Sequence, residues 1–559
     1  MVGPTGEYRM SQDEPGTPNP QAVHAAAPGE PTAEVLDQAG AAIPPAGGAH
    51  KAAGGGRRRW PIVAAVTAVL AVGGAGIALG LALSGGGTQP EEVVPASAVF
   101  YADVDFDPEA GQKANLLRLL NKFPAIEEEL GGRSDIKEYL VEQALESDPD
   151  LSADEIAPWL GDRAGVAVLW DDDNAEPILV VVVAVTDEEA ATSVFNEHLD
   201  EGEWAFDQGY AVMTSATLGS GSGAVSASDI VTMTGDGSLA DDPDFVAAME
   251  PLGSGLASMY LDGERVAEVM DQSIPGFVAP ELGAFGSASE PLTGHVGLVV
   301  RAEPSSIEVV GGSSTVPEGV STTPTELFAS LPDSTGFALA LTGGGDAVTK
   351  QWEAFRDQVD QLGQMQNFMG ASGSVQEHGQ QDTVQSDFDR AIAKLEAQYN
   401  IRLPDDLVTI FGDDMVMAVD GEGLMSATPG VGMRSITDPA AASDLADRLQ
   451  PVVDDVTAGL GITISPTDDG LVIASTDEYA AELMSGDGDL GTQPNVAEAI
   501  PDLEQASSVL WVDLETIGNL AGLADPELGE ALGPLAGLGV AAGADDDGVF
   551  FRARLTFDE

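Results

Sequence analysis

The chain has 559 residues, no cysteine and a formal net charge of −71, from 93 acidic residues against 22 Lys and Arg. Such acidity excludes nucleic acid and anionic lipid head groups as surface partners, because both are repelled. The missing cysteine excludes disulfides, thiolate zinc sites, a Cys nucleophile and a lipid-modified Cys. Hydrophobic residues make up 43% of the chain, enough to bury cores, and the length fits about two or three domains. Adaptation to high salt is an equal reading of the acidity.

Residues 1–59 are dominated by Pro, Gly and Ala without helical or strand period, and read as a disordered tail. Residues 60–83, from Trp60 to Leu83, hold no charge and are almost wholly apolar, which predicts a transmembrane helix. Lys51, Arg57, Arg58 and Arg59 precede it, Glu91 and Glu92 follow it, and Trp60 stands at an interfacial anchor position. Basic residues stay inside, so the tail is expected to be cytoplasmic and everything after the span extracytoplasmic. A cleaved signal peptide is the rival, disfavoured by the long preceding tail. The tail carries six acids and five bases, so −70 of the −71 lies beyond it.

After a linker at 84–92, the sequence repeats itself. Gly161-Asp162, closing Asp154-Glu-Ile-Ala-Pro-Trp-Leu, resembles Gly412-Asp413, closing Asp405-Asp-Leu-Val-Thr-Ile-Phe. Thr186-Asp187 resembles Thr437-Asp438, and Met259-Tyr260-Leu-Asp262 resembles Leu510-Trp511-Val-Asp513. All three matches are shifted by 251 residues. The opening strands, Pro95 to Tyr101 and Pro332 to Ala338, are shifted by 237, which leaves fourteen extra residues in the second unit, placed in a loop at Gly363–Ser386. Two units are expected, 93–312 and 330–559, joined by a linker at 313–329.

Alternation predicts strands at Val99–Asp105, Val166–Trp170 and Ile178–Val185, the last central and buried on both faces. Helical spacing marks Asn115–Leu120 and Asp135–Leu145. Thr186 with Glu189 fits a capping box, and Asp438 before Pro439 does the same work in the second unit. Hairpins are expected at His295–Glu303 with Ser306–Gly311, and at Leu538–Ala544 with Gly548–Leu555. This mixture reads as α+β, two tandem similar units with largely antiparallel sheets and packed helices.

The recurring Gly-Asp pairs read as turns, with Gly ending a helix in the left-handed region. Asp103, Asp105 and Asp107 alternate on a strand, as a calcium site or an acid pair would. However, Pro108 and Ala114 occupy places where a calcium loop needs Gly and Glu, so a solvated edge is expected. The Asp171–Asp173 and Asp545–Asp547 runs read as turn acids. His198, His295 and His378 have no ligand spacing, and no phosphate-binding loop or dinucleotide fingerprint occurs. No cofactor or metal is expected.

The Pro/Gly tail, basic cluster, apolar helix, the stretch from Val94 to Pro108 and the Gly-Asp turn resemble the actinobacterial proteins of the domain of unknown function 3352, over roughly Val93–Glu559. The resemblance implies a membrane-anchored extracytoplasmic protein and supplies no catalytic residues. A non-catalytic binding or scaffold module of the cell envelope is therefore expected, with an envelope protein as partner. A carrier of an apolar or lipid-like ligand and a carboxylate-dependent hydrolase are the alternatives. Oligomeric state is open.

Overall fold

The computed structural model describes residues 88–106, 108–123, 153–171, 176–198, 203–214, 225–266, 294–313, 323–370, 384–425, 429–456, 461–545 and 548–558. The chain divides into two compact units, Met1–Arg57 and Arg58–Glu559, and every described residue belongs to the second. The expected span at 60–83 and the helix at 135–145 lie outside the described residues. Among those residues no helix is long and apolar enough to cross a membrane.

The fold is α+β around one antiparallel sheet of sixteen strands. The first eight are β1 (Ala98–Asp105), β2 (Leu160–Asp171), β3 (Glu176–Val185), β4 (Trp204–Asp207), β5 (Tyr210–Thr214), β6 (Ala257–Asp262), β7 (His295–Ala302) and β8 (Ser306–Ser313). The next eight are β9 (Thr335–Thr342), β10 (Asp414–Asp420), β11 (Val431–Ile436), β12 (Thr463–Pro466), β13 (Gly470–Ala474), β14 (Ala506–Asp513), β15 (Leu535–Asp545) and β16 (Gly548–Phe557). From one edge the order is β4-β5-β3-β2-β1-β6-β7-β8, followed by β16-β15-β14-β9-β10-β11-β13-β12. The second run, read from its far edge, repeats the first with every strand number raised by eight. Strands β8 and β16 pair at the middle, so the sheet is continuous through both halves.

Helices cover both faces. In the first half they are α1 (Ala110–Leu120), α2 (Ala153–Ile156), α3 (Glu188–His198), α4 (Ala227–Asp236) and α5 (Pro243–Met249). In the second they are α6 (Thr323–Ala329), α7 (Gly344–Gly370), α8 (Val384–Tyr399), α9 (Asp405–Phe411), α10 (Pro439–Val456), α11 (Asp477–Ser485), α12 (Pro494–Ala499), α13 (Leu514–Ala524) and α14 (Pro526–Leu532). Strand β3 shows why two layers are needed. Val180 to Val183 are all buried, so both faces of the strand require cover. Val181 and Val183 pack with Trp159 and Phe195, whose rings meet edge-to-face at 5.2 Å. Val180 and Val182 pack with Tyr101, Ile230 and Tyr260 on the other side. In the second half Phe328, Trp511 and Tyr479 fill one face, and Leu445, Ile464 and Leu471 the other.

Four expectations are corrected. The end of the expected linker at 313–329 is helix α6, because Leu327 and Phe328 complete the core over β9 and β14. Helices α7 and α8 extend into the expected loop at Gly363–Ser386, reaching Gly370 and starting again at Val384. Helix α3 is capped by Asp187, whose Oδ1 accepts from the amides of Glu189 and Ala190, instead of by Thr186. Thr186 turns its hydroxyl to the Trp159 carbonyl. Asp438, 251 residues on from Asp187, accepts from Ala440 and Ala441 in the same way. Finally, β1 lies between β2 and β6, so Asp103 and Asp105 stand on an interior strand and not on a solvated edge.

Candidate functional site

The recurring residues mark framework positions spread along the sheet and are not gathered into one site. Gly412 ends α9 with φ of 61°, and a Cβ there would lie 2.2 Å from the Ile436 carbonyl oxygen. Gly161 lies within β2 and is not left-handed, yet its Cβ would lie 2.6 Å from that of Ala184. Both glycines exist to let the next strand approach. Their neighbours act through the backbone: the Asp162 carbonyl accepts from the amide of Phe106, and the Asp413 carbonyl from that of Gly343. The carboxylates of Asp262 and Asp513 each accept an amide three residues on, from Arg265 and Thr516, at the close of equivalent strands. Buried Tyr260 and Trp511 occupy matching places; Tyr260 bonds Nδ1 of His295 at 2.9 Å, and the Trp511 indole donates to the Thr335 carbonyl. Thr437 bonds Asp469 through its amide. The orienting residues Lys51, Arg57, Arg58, Arg59 and Trp60, together with Asp107, lie outside the described residues.

A cluster of interacting polar side chains gathers where the first described segment crosses the sheet. Residues Thr88 to Val94, which include a 3-10 turn at Pro90–Val93, lie as a strap over β2, β3 and β5. Val93 and Val94 are buried among Tyr210, Ile230 and Leu239. Gly165 makes room for the strap, since a Cβ there would stand 3.1 Å from that of Pro90. The Thr88 carbonyl accepts from the Tyr210 hydroxyl at 2.8 Å and from Arg163 at 3.4 Å. The Glu91 carboxylate accepts from the Tyr101 hydroxyl at 3.1 Å. Beneath the strap, Asp105 takes the Arg163 guanidinium at 3.2 Å, and Ser258 donates to Asp103.

Burial dominates the electrostatics here. It pushes Asp103 up to about 7, with the nearby charges of Glu91 and Asp105 adding to the rise and Ser258 and Arg163 opposing it. Burial also raises Glu91, against its backbone and Tyr101 hydrogen bonds. Tyr101 and Tyr210 are raised by burial as well. Burial, the largest influence, would lower Arg163, but Asp105 and Tyr210 together more than offset it. Asp103 and Glu91 thus both hold a proton more tightly than an exposed carboxyl group does. Glu91 also borders a shallow open cleft of about 410 Å³ with Glu92, Gln208, Thr234, Ser238 and Asp241.

The second half fills the same place with apolar side chains. Strand register sets Ala338, Ala340 and Val416 at the positions of Tyr101, Asp103 and Gly165, and Phe328 lies 237 residues on from Glu91. All four belong to one core cluster. Asp414 and Thr342, at the positions of Arg163 and Asp105, stay polar. Sequence reasoning singled out Asp103 and Asp105 and missed Glu91, Tyr101, Arg163 and Tyr210. The available signal was Val93-Val94 directly after two acids, an apolar pair at the start of the first unit and too short for an element of its own.

No family model matches the chain, and no curated protein matches it. Among solved structures, crystal forms III and I of TP0453 are similar, each at 11% identity with a TM-score of 0.22 over 43% of this chain. The match covers 86% and 84% of those chains. A likeness of that degree carries no argument about fold or function.

Proposed function

We propose that the protein is a single-pass membrane-anchored extracytoplasmic protein of the cell envelope, a non-catalytic binding or scaffold module built from two tandem similar units. Its N-terminal tail is cytoplasmic, and it belongs with the domain of unknown function 3352 proteins that it resembles. The observation that carries the scaffold reading is the centre of the sheet. Tyr260 pairs with Gly297 and Gly297 with Gly312; Trp511 pairs with Gly539 and Gly539 with Arg554. Gly312 and Arg554 are therefore equivalent, 242 residues apart, as are Val310 and Arg552. Val310 and Arg552 also pair directly with each other across β8 and β16. Two equivalent units related in this way form one long, stiff sheet, which suits a platform for partners.

The polar cluster supports a structural use over a hydrolytic one. Asp103, Asp105 and Glu91 are each engaged by a side chain of the same chain, and the strap lies across them. The interior of the first half is filled by the rings of Trp159, Phe195, Trp204 and Phe206, packed edge-to-face or tilted, which disfavours a lipid carrier. Native mass spectrometry of the full chain, released from its own membrane in neutral detergent, tests the reading. A mass equal to the polypeptide, or to simple multiples of it, agrees with a scaffold. A stoichiometric lipid-like adduct on the external region, lost on organic extraction, would replace it with the carrier reading.

A further inference from the structure

Helices α13 and α14 form a hairpin whose two arms meet through glycine. A Cβ on Gly529 would lie 2.4 Å from the Cα of Gly522, so the arms touch backbone to backbone. Packing within the hairpin is thus achieved by small residues, and α13 rests on β15. The leucines beside those glycines are left over. Leu523 is 74% exposed and Leu528 is 52% exposed, the two most exposed large apolar side chains among the described residues. They flank the same contact, one on each arm next to the turn. Ile517 on α13 is exposed as well.

The charge around this tip has one sign. Glu515, Asp525 and Glu530 are exposed on or beside the hairpin. From 449 to 551 the sequence holds twenty Asp and Glu and no Lys, Arg or His. A second copy of this surface would be repelled, and so would an anionic lipid surface. An apolar tip within an acidic field is complementary to a partner that carries apolar and basic residues on one helix.

We propose that the α13–α14 hairpin is a docking site for a basic amphipathic helix of a partner protein, with Leu523 and Leu528 as its apolar anchors. This goes beyond the scaffold reading by naming a place and a partner chemistry, and it needs only the fold.

The test uses the full-length protein in neutral detergent and a fluorescent amphipathic Lys/Leu peptide of about five helical turns as probe. The charge-neutral double variant Leu523→Ser with Leu528→Ser is expected to weaken binding by at least about tenfold. Serine at two other exposed apolar positions, Met233 and Leu395, is expected to leave binding within about twofold. Circular dichroism and the unfolding midpoint confirm that each variant is folded. Unchanged binding by the double variant overturns the proposal, as does equal binding of a scrambled peptide of the same composition. Leucine-dependent self-association, or leucine-dependent flotation with phosphatidylcholine vesicles, would also overturn it by assigning the tip to a second copy or to a lipid surface.

Discussion

Arg554 on β16 faces Glu308 on β8 directly across the middle of the sheet, with Nε 2.7 Å from the carboxylate. Glu308 is 4% exposed and is also approached by Arg301 at 3.9 Å and Arg552 at 3.4 Å. In a chain with only 22 Lys and Arg, three of them converge on one buried acid at the seam between the halves. Removing Glu308 leaves three like charges side by side. We expect Glu308→Ala to destabilise the protein by about 2–4 kcal/mol, less than a fully buried pair because the guanidinium groups keep some water. Urea unfolding of the variant checks this.

Asp103 sets a pH dependence of defined sign. Its folded-state value of about 7 lies above the usual carboxylate range, so the folded state holds this proton more tightly than the unfolded state does. The stability linked to it is complete below about pH 4 and is lost as pH rises towards about 7. Asp103→Asn mimics the protonated group. It is expected to flatten the fall in unfolding midpoint between pH 4 and 7, and to raise the midpoint at pH 8 by about 1–3 °C. Scanning calorimetry across pH gives both readouts.

Glycine substitutions separate approach from turn geometry. Gly412→Ala meets the Ile436 carbonyl at 2.2 Å with φ of 61°, and should cost more than about 3 kcal/mol. Gly209→Ala also has positive φ, 87°, but nothing stands within 4 Å, so about 1 kcal/mol is expected. Denaturation midpoints of the two variants should differ accordingly.

The matched caps should behave alike. Asp187→Ala and Asp438→Ala each remove an acceptor for two first-turn amides, and each should cost about 1 kcal/mol. Asn at either position should recover most of that loss in the same unfolding assay.

What was legible in the sequence was local. The left-handed Gly412 that ends α9, the terminal hairpins and the buried Val180–Val183 run follow from spacing and residue type over a few positions, whereas Gly161 lies inside β2 and ends no helix. Asp187 was hidden because Thr186 and Glu189 have the spacing of a capping box, and only backbone direction decides which side chain reaches the amides. Asp103 and Asp105 looked like an edge because alternating acids on an interior strand are rare; their cover comes from Thr88–Val94 and from Arg163, distant in sequence. The seam between β8 and β16 joins residues about 240 positions apart, and no local pattern encodes such a pairing.

The proposed anchoring and orientation are tested most directly by labelling single cysteines, since the chain has none of its own. Ser228→Cys places a thiol on the exposed face of α4, and Ser11→Cys places one in the tail. In intact cells of the native host, a membrane-impermeant maleimide should label position 228 at once and position 11 only after permeabilisation. Labelling of position 11 without permeabilisation, or protection of position 228, would contradict the account.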